Sequence, residues 1–314
     1  MAKNLILSAK TAKDIDQRIE RVLRGLGNPE PPLRLEDVRE LLKLDLGYYT
    51  ADNPGFAQET ISRIRVATIQ VYRRPTLLIE VIRKLSLKAL YLPDRKRILL
   101  DGSLPVLKHR WNEAHEIGHS LIPWHEAMMH GDNDHTLSRS CHEHVEAEAN
   151  FASGRLLFLR DRFAEEALSL EPCFKTVKQL HKTFGNTMST TLYRFVESIG
   201  EENPVVGMIT CHPHVERRPL DYDANKPCKY VVQSAAFQTR FGKITEIELF
   251  NVLSRYCGSQ KGGMLGNTEM ILTDNNGDLH RFYFETFYNS YDALTLGIYL
   301  KPEPVLVAAA GSPR

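Results

Sequence analysis

Twelve residues constrain this chain more than any others: WNEAHEIGHSLI, residues 111–122. On an α-helix, positions i and i+4 lie on one face a turn apart, so His115 and His119 can aim two imidazoles at one point. The opposite face of the segment is apolar, no proline interrupts it, and Pro123 follows it. The pattern predicts a helix over about 106–122, buried along one side and ended by that proline. Two histidines so spaced form a metal-ligand pair, and Glu116 beside them is placed to accept a proton from water and return it to a leaving amine. The pentapeptide alone recurs by chance in histidine-rich chains. Its helical, half-apolar setting is what gives it weight.

A catalytic zinc takes three protein ligands and keeps one position open. His125, six residues past His119, has the spacing of the HExxHxxGxxH pattern, but Ile122 stands where that pattern needs a turning glycine. Glu146, on a helix predicted over 143–160, is the favoured third ligand. Asn150, four residues on, shares its face and can hydrogen-bond a ligand histidine from behind. Glu148 points elsewhere and is the weaker choice, so His125, Glu148 and other loop residues stay open as alternatives. Two imidazoles and a carboxylate suit Zn²⁺, and Mn²⁺ fits nearly as well.

Around this segment the hydrophobic rhythm changes along the chain. Residues 11–26 read as an amphipathic helix through Ile15, Ile19, Val22 and Leu23, with a second helix over 35–44 and a third over 76–87. Residues 89–92 and 98–100 read as a β-hairpin around a Pro-Asp-Arg-Lys turn. Residues 124–141 are polar, histidine-rich and irregular, a loop over the site. Residues 174–183 and 189–198, split by Gly185-Asn186, form a helix-turn-helix-like pair. Beyond Asn203 the rhythm turns β-like, with strands at 205–210, 230–233, 270–273, 280–287 and 295–300 and an Asn-Asn-Gly turn at 275–277. Residues 258–266 read as a glycine-rich loop without the closing Gly-Lys-Ser/Thr of a phosphate cradle. This gives a domain over 1–200 and a β-rich α+β domain over 201–314.

Composition narrows the class of protein. A net charge of +1 with 25% charged residues argues against binding nucleic acid or anionic membrane by bulk electrostatics. No apolar run is long enough to cross a bilayer, and the N-terminus lacks a signal-peptide core. Five scattered cysteines, an odd number, suit reduced thiols and a cytoplasmic location. Cys211-His212-Pro213-His214 with Cys228 and Cys257 lacks a Cys-x-x-Cys knuckle, so the cysteines read as core residues. The histidines at 125, 130, 135, 142 and 144 read as solvated loop residues. In 189–198 the face that would read DNA offers mostly Ser and Thr, with Arg194 nearly alone, which disfavours base readout.

Together, AHEIGH, a polar loop and EAEANFASGRLLF resemble the ImmA/IrrE-type metallopeptidases over roughly residues 30–200. The resemblance implies a mainly helical, zincin-like (gluzincin-like) metallopeptidase core with a small antiparallel sheet. It places the metal ligands on His115, His119 and Glu146 and the base on Glu116. It also implies cleavage of a protein substrate, a helix-turn-helix transcriptional repressor, at one site in stress response or mobile-element control. Phe158-Leu159 replaces the family's usual Met-Pro, and the loop over 124–142 is long. The expectation is an intracellular zinc-dependent endopeptidase. The alternative is a DNA- or protein-binding regulator that retains a structural metal site.

Overall fold

A computed structural model describes residues 5–49, 89–92, 96–104, 106–130 and 139–303. The helix expected over 76–87 lies outside these residues, as do residues 131–138 of the loop expected over 124–141. The fold is α+β, and its described residues divide into two compact units. One comprises Leu5–Phe163 with His181–Thr187, the other Ala164–Leu180 with Met188 onward.

In the first unit, α1 (Ala9–Gly25) starts at Ser8, whose hydroxyl accepts the Thr11 N–H at 3.2 Å. Its apolar stripe of Ile15, Ile19, Val22 and Leu23 is buried as the spacing predicted. Helix α2 (Leu35–Leu42) ends at Lys43, which is left-handed with φ 56°. The chain then forms a strand that the sequence reading did not anticipate, β1 (Asp45–Tyr49). It pairs in parallel with β3 (Arg97–Asp101), and β3 pairs antiparallel with β2 (Ala89–Leu92), giving the order β1-β3-β2. The 89–100 hairpin is therefore present, within a mixed sheet.

Helix α3 (Val106–Leu121) carries the histidine motif and packs against β2, β3 and the long helix α5 (Arg139–Leu157). Between them Pro123 opens a further helix, α4 (Pro123–His130), where a loop was expected. Proline both ends α3 and, with its fixed φ, favours the first turn of the next helix. Gly118 is what lets α3 lie so close to α5: a Cβ there would stand 2.9 Å from the Ala149 carbonyl oxygen. Asp16 of α1 accepts from Arg155 and, at 2.6 Å, from Arg160, which fastens α1 across the end of α5. Beneath it the fully buried rings of Phe158, Phe163 and Phe184 pack with centroids 4.6–5.9 Å apart.

Short helix α6 (Asp161–Leu168) and α7 (Phe174–Phe184) lead to α8 (Met188–Ile199). The second unit is built on a five-stranded antiparallel sheet, order β5-β4-β8-β7-β6. Its strands are β4 (Val205–Thr210), β5 (Cys228–Gln233), β6 (Gly263–Thr273), β7 (Leu279–Tyr288) and β8 (Ala293–Pro302). Every residue of β4 is buried because helices cover both faces. Gly207 faces Val196 and Leu192 of α8, while Val206 and Met208 enter a cluster with Phe237, Phe241, Leu249 and Leu253. Those last four residues belong to α9 (Ala235–Phe241) and α10 (Glu246–Tyr256), which the β-like reading passed over. The region read as a glycine-rich loop supplies the first residues of β6. Gly266, at φ 142°, passes so close to the Tyr256 carbonyl that a Cβ would meet its oxygen at 2.8 Å.

Candidate metal centre

Helices α3 and α5 bring three of the sequence-selected residues to one point. His115 Nε2 lies 3.1 Å from His119 Nε2 and 3.2 Å from Glu146 Oε2, and His119 Nε2 lies 3.7 Å from Glu146 Oε1. Ligand atoms about 2.0–2.1 Å from a tetrahedral ion stand roughly 3.4 Å apart, so this triangle has the edge length a small divalent ion requires. Two imidazoles and a carboxylate are also the donor chemistry such an ion takes. Among the described residues no other group of three His, Cys, Asp or Glu side chains converges in this way.

Asn150, one turn beyond Glu146, places Oδ1 3.1 Å from His115 Nδ1. It accepts the Nδ1 proton and leaves Nε2 directed at the cluster. Burial pulls the His115 pKa down, but Glu146, Glu116 and Asn150 outweigh it and the net displacement is upward. Such a site holds positive charge readily.

Glu116, next to His115 on α3, is 5% exposed. Burial pushes its carboxyl up to about 7; His115 opposes this, Glu146 adds to it, and a hydrogen bond from the Tyr91 backbone N–H opposes it again. The edge strand β2 thus fixes the carboxylate of the motif. Tyr49, at the end of β1, is half-buried, and its phenol is pushed up to about 12 by burial, Asp101 and Glu116. These strand contributions were not visible in the sequence. β1 reads as a helix stop because of Gly47, and a backbone N–H carries no sequence signature.

His125 and Glu148, the alternative third ligands, stand together on the other side of His119. His125 is fully buried, with Nδ1 2.9 Å from His119 Nδ1 and Nε2 2.8 Å from Glu148 Oε2. The Trp124 indole N–H donates to the same Glu148 oxygen at 2.5 Å. His125 is therefore a packed, bonded residue of α4, not a solvated one. The buried cysteines sit in the core of the second unit, where burial pushes the Cys228 thiol up to about 12 and that of Cys257 to about 11.

Helix α8, the second of the helix-turn-helix-like pair, turns Thr191, Leu192, Arg194, Phe195 and Val196 inward. Arg194 is 8% exposed and bonds Glu197 at 3.1 Å, so it is not presented to a base edge. No helix among the described residues is long and apolar enough to cross a membrane.

No protein-family model and no curated protein matches the chain. Among solved structures it is similar to a Mycobacterium tuberculosis transcriptional regulator, at 16% identity and a TM-score of 0.50 over 91% of this chain and 88% of that one. At this identity the likeness is one of fold.

Proposed function

We propose that this protein is a cytoplasmic zinc-dependent endopeptidase of the ImmA/IrrE type, cutting a regulatory protein at one site. The observation that carries the reading is the pairing of the His115, His119 and Glu146 triangle with a buried carboxylate, Glu116, on the same helix. A structural metal site has no need of such a carboxylate, whereas amide hydrolysis needs a base whose pKa lies near the working pH. When bound, Zn²⁺ supplies Lewis acidity to the scissile carbonyl and to water. His115 and His119 would hold it through Nε2 together with a Glu146 carboxylate oxygen, and Asn150 orients the first of these rings. Glu116, raised to about 7, takes the proton of the attacking water and delivers it to the departing amine. Its hydrogen bond from the Tyr91 N–H keeps the carboxylate in place between the two transfers.

The substrate we infer is a helix-turn-helix repressor, as the resemblance to the ImmA/IrrE-type metallopeptidases carried by AHEIGH and EAEANFASGRLLF implies. Zinc- or manganese-loaded protein incubated with such a repressor, one encoded beside it, is expected to yield a single discrete cut by intact-mass spectrometry. Glu116→Gln should retain the metal and lose the cut. Normal cutting by that variant would refute the role of Glu116.

The likeness to a structure named as a transcriptional regulator favours one second reading, a regulator in which the metal is structural. That reading expects duplex binding that weakens steeply with salt and no proteolysis. The buried, paired Arg194 argues against base readout by α8.

A further inference from the structure

The strongest bonded chain that the proposed chemistry leaves unused runs from Trp124 through Glu148 and His125 to His119. Its hydrogens can be placed by elimination. The Glu148 carboxylate offers only acceptors, so His125 Nε2, 2.8 Å away, donates to it. A neutral imidazole carries one proton, so His125 Nδ1 is an acceptor. Among the described residues the donor facing it is His119 Nδ1 at 2.9 Å, which therefore bears the His119 proton. His119 Nε2 is then the unprotonated nitrogen, and it is the atom directed at His115 and Glu146.

We propose that Glu148 and His125 are positioning residues that lock His119 into the tautomer able to bind metal. They reach the ligand through a second imidazole, where Asn150 reaches His115 directly. Trp124 holds the distant end, since its indole N–H occupies the same Glu148 oxygen at 2.5 Å and stops the carboxylate from swinging away. The Arg18 guanidinium lies over the Trp124 ring, 5.5 Å from its centroid. Pro123 is the local cause: it ends α3 after His119 and starts α4, which turns His125 back onto the face of His119 away from Glu146. Geometry supports the assignment further, because His125 is fully buried and both its ring nitrogens are engaged within the first unit.

The inference rests on the metal-site part of the proposed function and is independent of peptidase activity. Its test uses the full-length chain with ¹⁵N-labelled histidine, metal-free and with zinc, and a zinc titration against a competing chromophoric chelator. In metal-free wild type, His119 is expected as the Nδ1–H tautomer and His125 as the Nε2–H tautomer. Glu148→Ala and His125→Ala should mix the His119 tautomers and weaken zinc by about 10–100-fold. Glu148→Gln keeps an acceptor for His125 and should recover most of that loss. A residue that only packs would change the melting temperature without changing the tautomer, so melts of each metal-free variant accompany the titration. His125→Ala opens a buried void and is the variant at risk of misfolding; the two Glu148 variants decide the matter without it. His119 found as Nε2–H in wild type would overturn the proposal. So would zinc affinity and tautomer unchanged in folded Glu148→Ala. If wild type bound no zinc, the metal reading would fall, while the tautomers of the metal-free protein would still decide whether the relay exists.

Discussion

At the scale of single residues, environment divides the labour among chemically similar groups. Glu146, Glu116 and Glu148 all lie on α3 or α5, yet one faces two imidazoles, one is buried beside a strand and one is held by Trp124 and His125. The burial of Glu116 has a measurable consequence. Its pKa rises from 4.5 to about 7 on folding, so between these values the folded state holds a proton that the unfolded state releases. Stability contributed by this group is complete below pH 4.5 and is lost as pH climbs through 7. Glu116→Gln removes that dependence. Denaturant titrations of metal-free protein should show the variant gaining on wild type between the two pH values, by up to about 3 kcal/mol. A constant difference across that range would mean the carboxyl is not buried as described. The convergence of His115, His119 and Glu146 was legible in part, because the i, i+4 spacing puts the two imidazoles on one helical face and a carboxylate with Asn150 four residues on marks the facing helix. The relay was not, since it depends on how Pro123 redirects the chain, and His125 read as an alternative third ligand or as one more histidine of a polar loop.

At the scale of elements, the decisive contact is the close approach of α3 and α5 at Gly118. Gly118→Ala introduces a Cβ 2.9 Å from the Ala149 carbonyl oxygen and 3.3 Å from the Ala152 Cβ, so the helices must part. A stability loss of about 1–3 kcal/mol is expected, with zinc affinity falling at least ~10-fold as the triangle opens. Gly154→Ala on α5 is the control. Apart from its own helix backbone and chain neighbours, no described atom lies within 4 Å of its Cβ position, and the change should stabilise by about 0.5–1 kcal/mol. Equal effects at the two glycines in urea melts and zinc titrations would contradict this packing. The elements that escaped the sequence reading did so for identifiable reasons. Strand β1 ends a charged stretch and contains Gly47. Helices α9 and α10 sit among strands, although Phe237 with Phe241, Leu249 with Leu253, and the Thr245–Glu248 capping box all signal helix. The strands and hairpin of the 270–287 region were legible because alternation and an Asn-Asn-Gly turn leave few other solutions.

At the scale of the whole molecule, every group of the candidate metal centre and its supporting relay belongs to one compact unit, Leu5–Phe163 with His181–Thr187. The second unit carries its own core around Phe237, Phe241, Phe282 and Phe284. Phe282→Ala should therefore cost about 3–5 kcal/mol and leave zinc affinity within about twofold of wild type, since metal binding draws only on ligands and their supports. A large loss of zinc affinity in that variant would show that the site depends on the second core. The most direct test of the central claim is zinc stoichiometry and affinity measured on wild type, Glu116→Gln, His115→Ala and Glu146→Ala. Wild type and Glu116→Gln are expected to hold about one zinc per chain with similar affinity, and the two ligand variants to lose at least ~100-fold. Glu146→Ala binding zinc as tightly as wild type would contradict the account.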